Sequence, residues 1–200
     1  MSLTNYSALT HIADEGAPLV FAFHGTGGDE RQFFDLARQL VPKGSVVSMR
    51  GDVSEGGAAR FFRRTGEGVY DMDDLARRTE RMVAFIAAHK AMHPAAAVYG
   101  FGYSNGANIL ASVVMAHPDL FERVALLHPL IPWSPAPVDL KDLFILITAG
   151  RRDPICPWPL SDALITWAEQ QGACVTTHIH EGGHELRQEE IAALSKLMSQ

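Results

Sequence analysis

Four apolar runs constrain this chain more than anything else in it: Pro18 to Gly25 (PLVFAFHG), Ala95 to Gly102 (AAAVYGFG), Arg123 to Pro129 (RVALLHP) and Leu143 to Gly150 (LFILITAG). None alternates polar with apolar, so each reads as a strand buried on both faces, the kind found inside parallel sheets. Parallel neighbours need crossover connections, usually helices. Helical spacing is present between them: Glu30 to Val41 behind an Asp29 N-cap, Asp73 to His93 ended by Pro94, Asn105 to His117 closed by Pro118, Ser161 to Gln171 and Glu185 to Met198. Ser45 to Gly51 and Cys174 to His180 read as further strands. The expectation is an α/β fold: a mostly parallel sheet of about six or seven strands with helices on both faces. Residues 1–200 read as one domain, with no repeat or linker and no length left for a separate cap. Gly51 to Asp71 lacks a steady period and reads as a functional loop.

Composition excludes several classes. The net charge of −6 argues against nucleic-acid binding through an overall basic field. The arginine-rich stretch Arg50 to Arg81 holds seven arginines against seven acids, so it is charge-rich without being basic. Two cysteines, Cys156 and Cys174, form no disulfide framework, and Cys156 reads as a small buried hydrophobe. The first twenty residues lack a basic segment followed by an apolar one, and no window reaches the ~18 apolar residues of a membrane span. The expected setting is the cytoplasm, without membrane insertion.

Gly102-Tyr103-Ser104-Asn105-Gly106 follows a strand directly and opens a helix. The bare G-x-S-x-G pattern would occur by chance in about one chain in fifteen of this length, but a strand-turn-helix context is harder to meet. So sharp a turn brings two backbones together, and the flanking positions must lack a Cβ. Such an elbow presents Ser104 as a nucleophile beside the positive end of a helix. A serine nucleophile needs a base, and the base an orienting acid. Asp153 follows LFILITAG and His184 follows CVTTHIH, each in the loop at the carboxyl end of an expected strand. Oxyanion donors are expected from the backbone N–H of Asn105 and, in the glycine-rich His24–Gly28 loop, of Thr26. On this reading loss of the Asn105 side chain matters far less than loss of the Ser104 hydroxyl, because the backbone N–H survives it. His24 is expected to orient that loop.

The stretches FHGTGGDE, RGDVSEGGAARFFRR, YGFGYSNGANI, AGRRDPICP and EGGHEL together resemble the carboxylesterase/phospholipase branch of the α/β-hydrolases, which includes the acyl-protein thioesterases, and within it the small bacterial MhqD-type esterases. The resemblance spans about Phe23 to Leu186. It implies an α/β-hydrolase fold and a serine hydrolase acting on small-molecule esters or thioesters, with Ser104, Asp153 and His184 as the triad and Thr26 and Asn105 as the oxyanion hole. No cofactor or metal is implied, and a homodimer is left open.

Two features bear on other classes of function. His180-Glu181-Gly182-Gly183-His184 matches the H-E-x-x-H pattern of zinc hydrolases, but a β-type run leads into it and two glycines occupy the place of the required helix. A non-catalytic binder on the same fold would have no need of all three triad residues. For the substrate pocket the candidates are Phe61, Phe62, Met72, Tyr103, Trp133 and Trp158, large side chains in or beside loops at the catalytic edge.

Overall fold

The computed structural model describes residues 6–199. Its elements are β1 (Ala8–His11), β2 (Leu19–Phe23), α1 (Phe34–Leu40), β3 (Ser45–Met49), β4 (Val53–Glu55), β5 (Ala58–Arg60), β6 (Arg64–Gly66), β7 (Val69–Tyr70), α2 (Met72–Met92), β8 (Val98–Tyr103), α3 (Asn105–Ala116), β9 (Arg123–Leu127), β10 (Phe144–Gly150), α4 (Trp158–Gln170), β11 (Cys174–His180) and α5 (Gln188–Met198). Seven strands form one sheet in the order β1-β3-β2-β8-β9-β10-β11. Only β1 is antiparallel, placing Ala8 opposite Met49; the other neighbouring pairs are parallel. The edge strand β1 has no counterpart in the expected elements, because four residues, three half-buried and one exposed, carry no readable period.

The apolar runs are buried on both faces. In β2, Leu19, Phe21 and Phe23 join the core formed with Leu75, Met82, Phe85 and Ile86 of α2 and Ile109 and Leu110 of α3. Val20 and Ala22, pointing the other way, join the core formed with Ala37 of α1 and Leu194, Leu197 and Met198 of α5. No helix among the described residues is long and apolar enough to cross a membrane.

Three helices begin elsewhere than their sequence signals suggest. Asp29 does not cap α1: its Oδ1 accepts the Arg31 N–H at 2.8 Å in a local turn, and the helix starts at Phe34. α4 starts three residues early, at Trp158, because Pro159 in its first turn loses no hydrogen bond there. α5 starts at Gln188, where the Glu190 carboxylate accepts the Arg187 N–H at 2.7 Å.

The segment 51–71 is more ordered than its composition suggests. It folds into two hairpins, β4–β5 and β6–β7; the first turns through Gly56 and Gly57 at φ 57° and 90°, the positive values that a tight hairpin turn requires. Asp74, 2% exposed, anchors the segment to α2 by accepting the Arg63 N–H at 2.8 Å and pairing with Arg77 and Arg78.

Candidate active site

The carboxyl ends of five neighbouring strands, β2, β8, β9, β10 and β11, converge on one patch of the sheet edge, as expected for an open parallel sheet. Ser104 sits between β8 and α3 at φ 53°, ψ −118°, a backbone conformation that L residues rarely adopt. The flanking glycines permit the turn. A Cβ on Gly102 would lie 2.6 Å from the Gly106 carbonyl, and one on Gly106 would lie 2.4 Å from the His24 oxygen. The Ser104 N–H donates to Leu127 O of β9 at 2.9 Å, holding the elbow against the sheet.

His184 Nε2 lies 2.9 Å from Ser104 Oγ, and His184 Nδ1 lies 2.7 Å from Asp153 Oδ2. Asp153 Oδ1 accepts the backbone N–H groups of Ile155 and Cys156 at 2.8 and 2.9 Å, while His128 Nδ1 approaches Oδ2 at 3.0 Å. Four donors fill the acceptor capacity of one carboxylate. Burial opposes the charge of Asp153, but the hydrogen bonds from His128, His184 and Cys156 outweigh it and hold the carboxyl far below its ordinary range. The loop bearing His184 can close over β10 because residue 150 is glycine: a Cβ there would lie 2.1 Å from Gly183 O.

The loop after β2 is fixed from several directions. Gly51 N–H donates to His24 Nε2 at 2.8 Å, leaving Nδ1–H to donate to Gly25 O at 2.6 Å. Gly27 N–H donates to Ala59 O at 2.9 Å and Arg60 donates to Thr26 Oγ1 at 2.9 Å. The backbone N–H of Thr26 takes no part in these bonds. Asn105 is the first residue of α3, so the helix itself leaves its N–H without an acceptor. Its side chain is not idle. Asn105 is 1% exposed and its Oδ1 accepts the Phe61 N–H at 2.8 Å, tying the hairpin segment to the elbow.

No protein-family model matches the chain. It is 36% identical over 187 residues to the Bacillus subtilis (strain 168) protein named "Putative hydrolase MhqD", covering 91% of this chain and 94% of that one. The chain belongs to the α/β-hydrolase esterase family. Among solved structures, the Agrobacterium tumefaciens str. C58 protein Atu2452, of unknown function, matches this hydrolase at TM-score 0.96 and 50% identity over 100% of this chain and 98% of that one. A Bacillus cereus carboxylesterase matches at TM-score 0.91 and 32% identity over 97% and 93%.

The cavity of this hydrolase beside Ser104 is small, about 50 Å³, and its walls include Thr26, Arg60, Tyr70, Leu130, Ile155 and Cys156. None of the six expected pocket residues is among those that line it. Phe61 and Phe62 are fully buried in the core, packed against Phe23 and His24 and against Tyr70 respectively, because two adjacent apolar rings in a bend bury more surface inward than lining a cleft. Met72 and Trp133 line a separate groove between α2 and α3. Trp158 stacks under the Arg151 guanidinium at 4.4 Å. Tyr103 packs beside the His184 ring, its hydroxyl donating to His184 O at 2.5 Å.

The HEGGH stretch of this hydrolase is no helix: β11 ends at His180, and the two histidines face different partners. His180 Nε2 lies 3.4 Å from Glu190 Oε2, whereas His184 Nε2 faces Ser104. His128, His180 and Glu190 cluster closely enough to suggest ligands. However, Gly182 N–H donates to His180 Nδ1 at 2.9 Å, so the ring proton occupies Nε2, the atom that an ion would need. His128 and Glu190 are absent from the expected site. The available signal for His128 was a polar residue ending the apolar run RVALLHP; nothing local marked Glu190.

Proposed function

We propose that this protein hydrolyses carboxylic esters, or thioesters, in two steps through an acyl-enzyme at Ser104. The observation that carries the reading is the bridging imidazole of His184, 2.9 Å from Ser104 Oγ on one side and 2.7 Å from Asp153 Oδ2 on the other. In the first step His184 Nε2 takes the hydroxyl proton as Ser104 Oγ attacks the carbonyl carbon, and the N–H groups of Thr26 and Asn105 receive the developing oxyanion. Collapse expels the alcohol or thiol, which takes its proton from His184. In the second step water attacks the acyl carbon, giving its proton to His184, and the acid leaves as Ser104 recovers its hydrogen. Asp153, held ionised by its four donors, keeps the His184 proton on Nδ1 and stabilises the imidazolium.

The small cavity favours a short acyl group, with the larger part of the substrate outside. The carboxylesterase name of the Bacillus cereus relative supports the ester class. The test is labelling with a fluorophosphonate together with hydrolysis of p-nitrophenyl acetate. Ser104→Ala is expected to abolish labelling and to lower kcat by at least ~10³-fold with the fold intact. Labelled or substantially active Ser104→Ala protein would overturn the assignment.

A further inference from the structure

Behind the triad lie two buried titratable groups, neither of which moves a proton in the mechanism above. His128 follows β9, Glu190 lies in the first turn of α5, and both are 0% exposed. His128 Nδ1 is 3.0 Å from Asp153 Oδ2, the oxygen that also receives His184 Nδ1, and His128 Nε2 is 2.9 Å from Glu190 Oε1. A ring nitrogen aimed at a carboxylate is favourable only when it bears a proton. Nδ1 is aligned for a hydrogen bond to Asp153, whereas Nε2 stands within ion-pair distance of Glu190 without that alignment; a proton on both nitrogens would make the imidazole a cation attracted by both carboxylates.

Apart from Ser104, His128 is the only non-glycine residue with positive φ among the described residues, at 51°. Such a conformation persists only where the surroundings enforce it. Here the His128 N–H donates to Thr148 O at 3.1 Å, and Cys156 Sγ–H donates to the His128 carbonyl at 3.3 Å.

We propose that His128 is a charged positioning residue, balanced by Glu190, that aims the Asp153 carboxylate at His184 and moderates the field this carboxylate exerts on the base. The proposal rests on the triad reading given above. The other groups facing His128 are few. The His184 and His180 rings lie 5.2 and 5.4 Å away between centroids, and the Tyr103 ring 6.0 Å away. His180, with its proton on Nε2 and its charge disfavoured by burial, is neutral. Two carboxylates and one cation therefore leave a single negative charge, which protonation of His184 during attack cancels. Burial works against the charge on His128, but the hydrogen bond to Asp153 and the Glu190 carboxylate 2.9 Å from Nε2 prevail and raise its pKa to about 9.

His128→Asn separates charge from hydrogen bonding. Asn tolerates the left-handed backbone, and its Nδ2 stands where Nδ1 donated to Asp153. A proton on His184 then no longer meets a cation next door, so the midpoint of the acid limb of kcat/KM is expected to rise by about one pH unit, tenfold in proton affinity. The double variant His128→Asn/Glu190→Gln also removes the uncompensated anion, and its rise is expected to be smaller. A purely structural role would lower Tm and kcat and leave the midpoint in place, so a midpoint within about 0.2 unit of the parent's, or below it, overturns the proposal.

A second measurement needs no variant at position 128. Nitrogen NMR of the Ser104→Ala protein is expected to show the His128 ring doubly protonated at pH 8, and a neutral ring at pH 7 overturns the proposal. Failure of the triad reading looks different: Ser104 would escape the fluorophosphonate and Ser104→Ala would stay active. Labelled Ser104 with an unmoved His128→Asn midpoint refutes the present inference alone.

Discussion

The hydroxyl of Tyr103 donates to the backbone oxygen of His184 at 2.5 Å, so the residue preceding the nucleophile holds the main chain of the base 81 positions later. The ring also packs beside the His184 imidazole, 5.3 Å between centroids. Tyr103→Phe keeps the packing and removes the donor. A lost hydrogen bond of about 1 kcal/mol in positioning the base predicts a fall of roughly 5- to 10-fold in kcat/KM for p-nitrophenyl acetate, with Ser104 still labelled. Burial first, then the Asp153 anion, pushes the tyrosine to about 12, so this contact is expected to survive into alkaline solution.

Gly106 admits no side chain. A Cβ there would lie 2.4 Å from His24 O and 2.5 Å from Phe23 O, both backbone atoms of a central strand and its loop, which have no room to retreat. Gly106→Ala is expected to cost about 3 kcal/mol or more, measured by urea denaturation, or to prevent folding. Gly56→Ala is the control for inserting a methyl group: it meets no atom within 4 Å, and its φ of 57° makes its cost one of backbone strain, about 1–2 kcal/mol.

Asn105→Ala leaves the backbone N–H in place and takes away the acceptor for the buried Phe61 N–H. An unsatisfied buried donor costs about 1–3 kcal/mol. The expected result is a loss of that size in chemical denaturation. Retention of Phe61 in the core should limit the fall in kcat to about 10-fold.

Stability should fall on both sides of neutrality for opposite reasons. Asp153 and Glu190 are held below their ordinary pKa values by hydrogen bonds that outweigh burial, so their contribution is present above the ordinary carboxylate range and is lost as pH falls beneath it. His128 is raised to about 9; its contribution is complete below its ordinary value near 6.5 and is lost as pH rises through 9. The loss between pH 7 and 10 is at most about 3 kcal/mol. Urea midpoints across that range should decline in the parent and stay flatter in His128→Asn, even though the variant starts lower.

Arg60, 4% exposed, donates to Thr26 Oγ1 at 2.9 Å and to Phe62 O at 3.4 Å. Lysine cannot reproduce a fork of donors. Arg60→Lys is expected to lower kcat about 10-fold with little change in KM, through a looser loop around Thr26.

The site was legible to different depths. Ser104 and Asp153 stand in loops after buried apolar runs and His184 in the loop after the strand CVTTHIH, and in a parallel sheet every such strand delivers its following loop to the same edge, so their meeting could be read along the chain. The glycines at 102 and 106 were legible for the same reason, since a strand turned sharply into a helix forces two backbones together. Asp29, in contrast, carries a cap signal, yet a turn within reach satisfied its side chain before the helix began.

What the sequence by itself determined was therefore the architecture of β2, β8, β9, β10 and β11, the elbow and the identity of the three residues that meet. These follow from periodicity and backbone sterics, which act over a few residues. Only the tertiary structure decided which large side chains wall the cavity, what the Asn105 side chain holds, and that His128 and Glu190 stand buried, 2.9 Å apart, behind Asp153. Those depend on contacts between residues 44, 62 and 25 positions apart. Local propensity is silent at such distances, and the choice of which ring turns inward, or which carboxylate shares a proton, belongs to packing and to the low dielectric of the interior.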